Sequence, residues 1–170
     1  MVFSYYSKLS ASNKRVYRAS DAVHGITVPQ VEELHPLVPR LAQALEQEDR
    51  ETVELLCRKL AAGLTKRLKI PLVRVKVLAV RPSARWGELH GLYEPAEGRS
   101  LAVITLWMRT AKQKRVVAFK AFLRTLLHEF GHHLDYEHFR FSDSFHTEGF
   151  YKRESSLFHQ LVNDDGGRRE

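Results

Sequence analysis

The stretch VVAFKAFLRTLLHEFGHHLDY, residues 116–136, combines the spacing of a buried helix with an unusual density of histidine. Its apolar residues recur every three or four positions, which is typical of a helix with one face in the core. Glycine inside a helix costs about 1 kcal/mol relative to alanine. The pattern therefore predicts one long helix from about Val116 to Tyr136, and it indicates that Gly131 has a packing or functional reason.

The residues before this helix alternate between apolar and polar side chains, which is typical of strands with one buried face. The alternation is clear in LVRVKVLAV (72–80) and weaker in SLAVITLWM (100–108), and GELHGLYEP (87–95) lies between them. Turn residues separate these segments. We therefore expect an α+β fold with a small, mainly antiparallel three-stranded sheet packed on the long helix.

Two helices are predicted before the sheet. The segment 29–47 has helical spacing, but its prolines place the reliable start of the helix near Pro39. The segment 49–68 is a second helical pattern, and Asp49 can cap its first turn. Residues 1–28 show no sustained period, so an irregular, partly docked N-terminal arm is expected.

The composition excludes several classes of protein. The chain has 170 residues and 44% hydrophobic residues, which suits one packed domain. Cys57 is the only cysteine, so an internal disulfide and a multi-thiolate metal site are excluded. No apolar run is long enough to span a membrane, and the first residues lack a signal-peptide pattern. We expect no membrane association and a cytoplasmic location.

His128, Glu129 and His132 form the pattern H-E-x-x-H inside the predicted helix. Four residues of α-helix turn through about 400°, so the two imidazoles lie on the same face. Imidazole nitrogens bind Zn²⁺, and a catalytic zinc site has three protein ligands and one position open to water. Glu129 lies next to the ligand row and is expected to act as the general base. The pattern predicts a zinc-dependent enzyme that hydrolyses peptide bonds.

The third zinc ligand must come from a residue downstream, and three residues compete for the position. His138 would give a spacing similar to the extended metzincin pattern, but Asp135 replaces the glycine at which the chain turns. Glu154 lies 22 residues after His132, a position similar to the glutamate ligand of thermolysin-type enzymes. His146 begins the segment HTEGFY. The residues alone leave these alternatives open.

The segment HTEGFY has the form H-x-x-x-F-[WY], and together with HEFGH it resembles the SprT-like and YgjP-like zinc metallopeptidases. The resemblance covers roughly residues 70–160, including the strand, turn and strand of 87–108. One departure is Thr147, which stands where the SprT pattern has glycine. The resemblance implies that His146 completes the zinc site of His128 and His132.

The resemblance also implies a minimal zincin fold, in which a small twisted sheet packs on the active-site helix and a C-terminal helix lies near 150–162. It makes 29–170 a single metallopeptidase domain, with a helical part over 29–69 and a catalytic part over 70–162. A protein or peptide substrate would bind as an added strand along a sheet edge, for which we select 100–108.

Six further residues are candidates for supporting roles at the zinc site. Three tyrosines are candidate donors to the oxyanion: Tyr93, Tyr136 and Tyr151. Three acids are candidates for orienting the imidazoles: Asp135, Asp143 and Glu154. The sequence does not choose among them.

The chain is strongly basic, with 27 Lys and Arg against 20 Asp and Glu, and part of this charge lies in one stripe. Between Gly98 and His128 the sequence has no acidic residue and seven basic ones: Arg99, Arg109, Lys112, Lys114, Arg115, Lys120 and Arg124. Such a stripe attracts phosphate groups or acidic polypeptides, and the SprT-like family is associated with DNA. The alternative function is therefore a basic nucleic-acid- or protein-binding module with a structural or degenerate zinc site.

Overall fold

Five α-helices and five strands form the mixed α+β fold of residues 2–163, the part of the chain that a computed structural model describes. The helices are α1 (Ala11–Asp21), α2 (Leu37–Glu46), α3 (Arg50–Leu68), α4 (Phe119–Glu137) and α5 (Glu148–Val162). The strands are β1 (Val73–Val80), β2 (Ser83–Ala84), β3 (Gly87–Glu88), β4 (Gly91–Glu94) and β5 (Ala102–Arg109). The last residues of the predicted domain, 164–170, lie outside the described part.

The three-stranded sheet is mixed, and the prediction of a mainly antiparallel sheet is wrong. Its strand order is β1-β5-β4, in which β5 pairs parallel with β1 and antiparallel with β4. The choice of 100–108 as a substrate edge is also wrong, because β5 is the central strand. Both faces of β5 are largely covered, as Thr105 and Trp107 are each 8% exposed on its outer face. A strand buried on both faces loses its alternation, which explains the weak period of this segment.

The inner face of the sheet packs against α3 and α4. The core contains apolar side chains from all these elements: Leu60 and Leu64 of α3, Val73, Val75 and Val77 of β1, Ile104 and Leu106 of β5, and Leu123 and Leu127 of α4. Cys57 is fully buried in the same cluster. The long helix is therefore held on one face by the sheet, and its other face is left for the candidate site.

The structure confirms the helices predicted before and after the sheet, with small shifts at their ends. Asp49 caps α3, because its carboxylate accepts a hydrogen bond from the backbone N–H of Thr52 at 3.2 Å. Pro39 lies in the first turn of α2, where its missing N–H has no intrahelical partner to lose. The helix predicted over 116–136 begins at Phe119.

The prediction of an irregular N-terminal arm is wrong for residues 11–21, which form α1. The helix is polar and basic, so no apolar stripe reveals it, and within it only Tyr17 and Ser20 are buried. Ser10 caps its first turn by accepting from the N–H of Asn13 at 3.2 Å. Docking against α5 thus stabilises a polar helix that has no apolar stripe.

The docking of α1 depends on a close approach at Gly149, in the first turn of α5. A Cβ atom there would lie 2.6 Å from the carbonyl oxygens of Ser20 and Asp21. We expect Gly149→Ala to lower the free energy of unfolding by about 1–3 kcal/mol, because backbone atoms must shift. Gly25→Ala is the matched control, since its Cβ would lie 3.7 Å from Oγ of Ser156, an ordinary contact. Denaturant unfolding measures both variants, and equal stabilities would contradict this prediction.

Candidate metal centre

Three histidines from α4 and the segment before α5 meet at one point. Nε2 of His146 lies 3.1 Å from Nε2 of His128 and 3.0 Å from Nε2 of His132. All three ligand atoms lie within 4.8 Å of one another. His128 and His132 stand one turn apart on α4, while His146 directly precedes the first turn of α5. Packing of the two helices therefore assembles a group that could hold a metal ion.

Hydrogen bonds on the outer ring nitrogens determine the tautomers of two of these histidines. Nδ1 of His128 donates to Oε1 of Glu154 at 2.9 Å, because a carboxylate only accepts. The hydroxyl of Ser144 donates to Asp135 at 2.7 Å, so it accepts from Nδ1 of His132, also at 2.7 Å. Both inner Nε2 atoms therefore present lone pairs to the third imidazole.

The three inner nitrogens cannot all satisfy one another. Nε2 of His146 has at most one proton in its neutral form, so it can donate to one neighbour and its approach to the other is repulsive. Burial lowers the pKa of His132 to about 3 and also lowers the pKa of His146, which keeps both rings neutral. A central cation removes the repulsion. Tetrahedral zinc, with bonds of about 2.0–2.1 Å, holds its ligand nitrogens about 3.4 Å apart, so the donor set fits Zn²⁺.

The structure does not bring His138 or Glu154 into the ligand group. Helix α4 continues past Asp135, so the chain does not turn there, and the ring of His138 packs on Phe139 with ring centroids 4.9 Å apart. Glu154 lies behind His128 as a hydrogen-bond acceptor. Of the three candidates for the third ligand, only the histidine of the HTEGFY segment joins the group.

Glu129 lies beside the three histidines and is 8% exposed. Its side chain packs on Gly91 of β4, where a Cβ atom would lie 2.9 Å from Cγ and from Oε1 of Glu129. Burial, with a smaller contribution from Glu154, raises the pKa of Glu129 to about 7, although nearby His128 acts in the opposite direction. A carboxyl group with a pKa near neutrality is suited to accept a proton and to return it.

Glu129 and the three histidines line an open cavity of about 670 Å³. Gly91, Leu92 and Tyr93 of β4 form part of its lining. Among the described strands β4 pairs only with β5, so its other side is a sheet edge that borders the cavity. The edge of β4 therefore replaces the segment 100–108 as the candidate edge for substrate binding.

Tyr93 does not have a hydroxyl proton free for a ligand. Nε2 of His133 donates to the carbonyl of Pro71 at 2.7 Å, since a carbonyl only accepts. Nδ1 of His133 is then an acceptor, and it receives the hydroxyl proton of Tyr93 at 2.9 Å. His133 therefore has a structural role that connects α4 to β4 and to the start of β1.

Of the other two tyrosines, only Tyr136 is among the residues that line the cavity. Tyr136 lines the cavity, and its hydroxyl makes only a long bond of 3.3 Å to Oδ1 of Asp143. The ring of Tyr151 lies 6.0 Å from the ring of His128 and 5.9 Å from that of His146, and its side chain is 42% exposed. Tyr136 is the better placed of the two to reach a ligand in the cavity.

A buried network supports the metal centre from behind. Asp135, which is bonded to Ser144, also pairs with Arg153 at 3.0 Å, and both charged groups are almost fully buried. Arg153 further donates to the carbonyls of Ser20 and Val23 at 2.6 and 2.7 Å. Sequence reasoning missed Ser144, because a serine in a connecting loop has no pattern that marks it.

The N-terminal segment also holds the residue that supplies the third imidazole. The hydroxyl of Tyr5 donates to the backbone carbonyl of His146 at 2.9 Å. Thr147 caps α5 by accepting from the N–H of Phe150 at 2.9 Å, and its hydroxyl lies 3.2 Å from that of Ser20. Thr147, which departs from the glycine of the SprT pattern, therefore has a capping role in this chain.

Gly131 has the packing reason that its sequence position indicates. A Cβ atom there would lie 2.9 Å from the ring of Phe150. That ring packs against His128 and His132, with centroid distances of 5.0 and 4.9 Å. The glycine lets α5 approach α4 closely enough for Phe150 to support both imidazoles.

Comparisons with known proteins gave no match. None of the protein-family models, curated proteins or solved structures compared with the chain matches it. Within residues 2–163, no helix is long and apolar enough to cross a membrane. The resemblance to SprT-like enzymes therefore stays a prediction from the quoted motifs, and any function must be argued from the geometry.

Metal content tests the ligand group directly. We expect about one zinc ion per chain in the wild type and almost none in His146→Ala, because two imidazoles alone bind zinc weakly. His138→Ala is the matched control and should retain its zinc. Glu154→Ala should weaken zinc binding by about 10–100-fold, since it orients a ligand without being one. Mass spectrometry of the purified variants measures the content, and loss of zinc in His138→Ala with retention in His146→Ala would reject the group.

Proposed function

We propose that the protein is a zinc-dependent metallopeptidase of the HExxH type that cleaves protein or peptide substrates internally, with a zincin-like arrangement of sheet and active-site helix. The observation that carries this proposal is the convergence of three imidazole Nε2 atoms beside a buried carboxyl group, in a cavity that borders a sheet edge. Each part has a separate task in peptide hydrolysis.

The three histidines would hold the zinc ion, which supplies Lewis acidity that polarises a carbonyl group and lowers the pKa of water. Glu129 is the general base: it accepts a proton from the water that attacks the scissile carbonyl carbon. The same carboxyl group then donates that proton to the amine nitrogen as the C–N bond breaks. Its burial beside Gly91, next to the three histidines, supports both transfers.

The substrate would add to β4 as an extra strand. Main-chain hydrogen bonds to a sheet edge bind an extended peptide without regard to its sequence. The central strand β5 has no free edge, so β4 replaces it in this role. Tyr136, on the same side of α4 as the cavity, is the tyrosine that we assign as donor to the developing oxyanion.

Substitution of Glu129 separates catalysis from metal binding. We expect Glu129→Gln to keep the zinc content of the wild type but to lower kcat/KM for peptide cleavage at least about 100-fold, because an amide cannot accept the proton. The control is Glu51→Gln, an exposed residue in the first turn of α3, which should behave like the wild type. Wild-type activity in Glu129→Gln would reject the role of general base.

An exposed tryptophan beside a basic loop favours a second candidate function, the binding of nucleic acid. Trp86 is 71% exposed in the β2–β3 hairpin. A cavity of about 630 Å³, lined by Arg85 and Lys112, lies between this hairpin and the loop that follows β5. Lys114 and Arg115 are exposed on the same loop. Aromatic stacking combined with basic side chains is typical of surfaces that bind single strands.

Salt dependence tests this second function. We expect the affinity for a single-stranded oligonucleotide to fall as salt rises from about 50 to about 200 mM, because phosphate contacts release counterions. Trp86→Ala should weaken binding, whereas Arg40→Gln, an exposed change on α2, should weaken it little. Fluorescence anisotropy measures both, and affinity that is independent of salt would count against nucleic-acid binding.

A further inference from the structure

The end of the cavity nearest the start of α4 has an arginine with no acidic partner. Arg124 lines the cavity and precedes His128 by one helical turn, which is about 6 Å along the axis. Its guanidinium lies over the ring of Phe158, 3.9 Å from the ring centroid. Within residues 2–163, no carboxylate forms an ion pair with it.

Three acids line the same cavity: Glu88, Glu154 and the buried Glu129, which forms no ion pair with Arg124. The other two acids have partners elsewhere. Glu154 accepts from an imidazole of the metal centre. Glu88 accepts from the backbone N–H of Ala111 and lies 3.8 Å from a guanidinium nitrogen of Arg81. The positive charge of Arg124 is therefore not neutralised by a neighbouring side chain, and a ligand in the cavity can approach it.

Stacking on Phe158 holds the guanidinium in place before a ligand arrives. The ring of Phe158 is 4% exposed, so it is a rigid support. A stacked, planar guanidinium loses less conformational freedom on binding than an exposed one, and its geometry matches a carboxylate bidentately. This distinguishes Arg124 from surface arginines such as Arg140, which is 76% exposed and pairs with Glu137.

The directions of β4 and α4 show which part of a substrate would reach this end. Gly91, at the start of β4, lies beside Thr125, whereas the ring of Tyr93 lies 6.2 Å from the ring of His132. The strand and the helix thus run in the same direction along the cavity. Antiparallel pairs are somewhat more stable than parallel ones. A peptide added antiparallel to β4 would place its C-terminal part at the end where Arg124 lies.

We propose that Arg124 is a carboxylate-binding subsite for the part of the substrate that follows the scissile bond, an inference that rests on the proposed peptidase function. An extended peptide advances about 3.3 Å per residue, so one helical turn corresponds to about two residues. The substrate class is therefore peptides with Asp or Glu about two residues after the scissile bond, or with a free C-terminal carboxylate at that position.

Paired peptides test the subsite. One pair has an amidated C-terminus and differs only by Glu or Gln at the second residue after the cleaved bond. A second pair ends at that residue with a free carboxylate or with an amide, which distinguishes the two sources of the carboxylate. We expect the wild type to prefer one or both carboxylate peptides by about tenfold in kcat/KM. Arg124→Gln should reduce this ratio to less than about twofold.

Three further measurements separate specificity from folding. Arg40→Gln removes an equal charge from the exposed surface of α2 and should keep the wild-type ratio. Arg124→Lys retains the charge and should keep part of the preference. Zinc content of Arg124→Gln should match the wild type, because the variant leaves the three histidines unchanged. Its thermal midpoint should fall only slightly, because the variant loses the stacking of the guanidinium on Phe158. Loss of zinc in that variant would indicate a structural role and would overturn the subsite.

Failure of the subsite and failure of the peptidase proposal give different results. Equal kcat/KM for both members of each pair, or a preference that survives in Arg124→Gln, overturns the subsite and leaves the peptidase in place. If the zinc-loaded wild type cleaves neither pair, the peptidase proposal fails. Fluorescence anisotropy then measures the affinity of the same peptides and tests whether Arg124 binds the carboxylate. Tighter binding of carboxylate peptides by the wild type than by Arg124→Gln then supports the subsite, and equal binding overturns it.

Discussion

The buried ion pair between Arg153 and Asp135 is the interaction on which the rest of the site depends. Both side chains are almost completely removed from water, so each charge requires the other, and removal of one partner of such a pair typically costs about 3–5 kcal/mol. The guanidinium of Arg153 also donates a hydrogen bond to the carbonyl of Ser20 near the end of α1, while the carboxylate of Asp135 accepts one from the hydroxyl of Ser144. One network thus connects the N-terminal helix, α4, α5 and the loop before α5 to His132.

This network links the folding of the chain to the arrangement of the candidate metal ligands. Glu154 orients His128 directly, and Asp135 orients His132 through Ser144, so two lone pairs face inward before any ion is bound. The resulting repulsion between lone pairs destabilises the fold, and burial limits it by keeping His132 and His146 neutral. Since the three histidines are arranged in this way only in the folded chain, the free energy of binding a metal ion there would add to that of folding.

Structural features that arise from neighbouring residues could be predicted from the sequence, whereas features that depend on distant partners could not. The apolar stripe of α4 and the Asp49 cap of α3 arise within a few residues, so both helices were predicted to within about three residues at their ends. Helix α1 has no such stripe. It is stabilised by docking against α5, which no local pattern in its sequence indicates. The parallel pairing of β1 with β5 was missed because strand direction depends on the path of the chain between them.

The sequence by itself determined the ligand row of His128 and His132 and the neighbouring position of Glu129, because helical geometry relates residues four apart regardless of the remaining fold. The HTEGFY segment predicted His146 as the third histidine through a resemblance, and the tertiary structure brings it beside His128 and His132. Tertiary structure alone decided that Ser144 connects His132 to a buried acid and that β4 borders the cavity. These features depend on how α5 and the sheet pack on α4. Packing is a property of surfaces brought together from distant parts of the chain, and no local spacing records it.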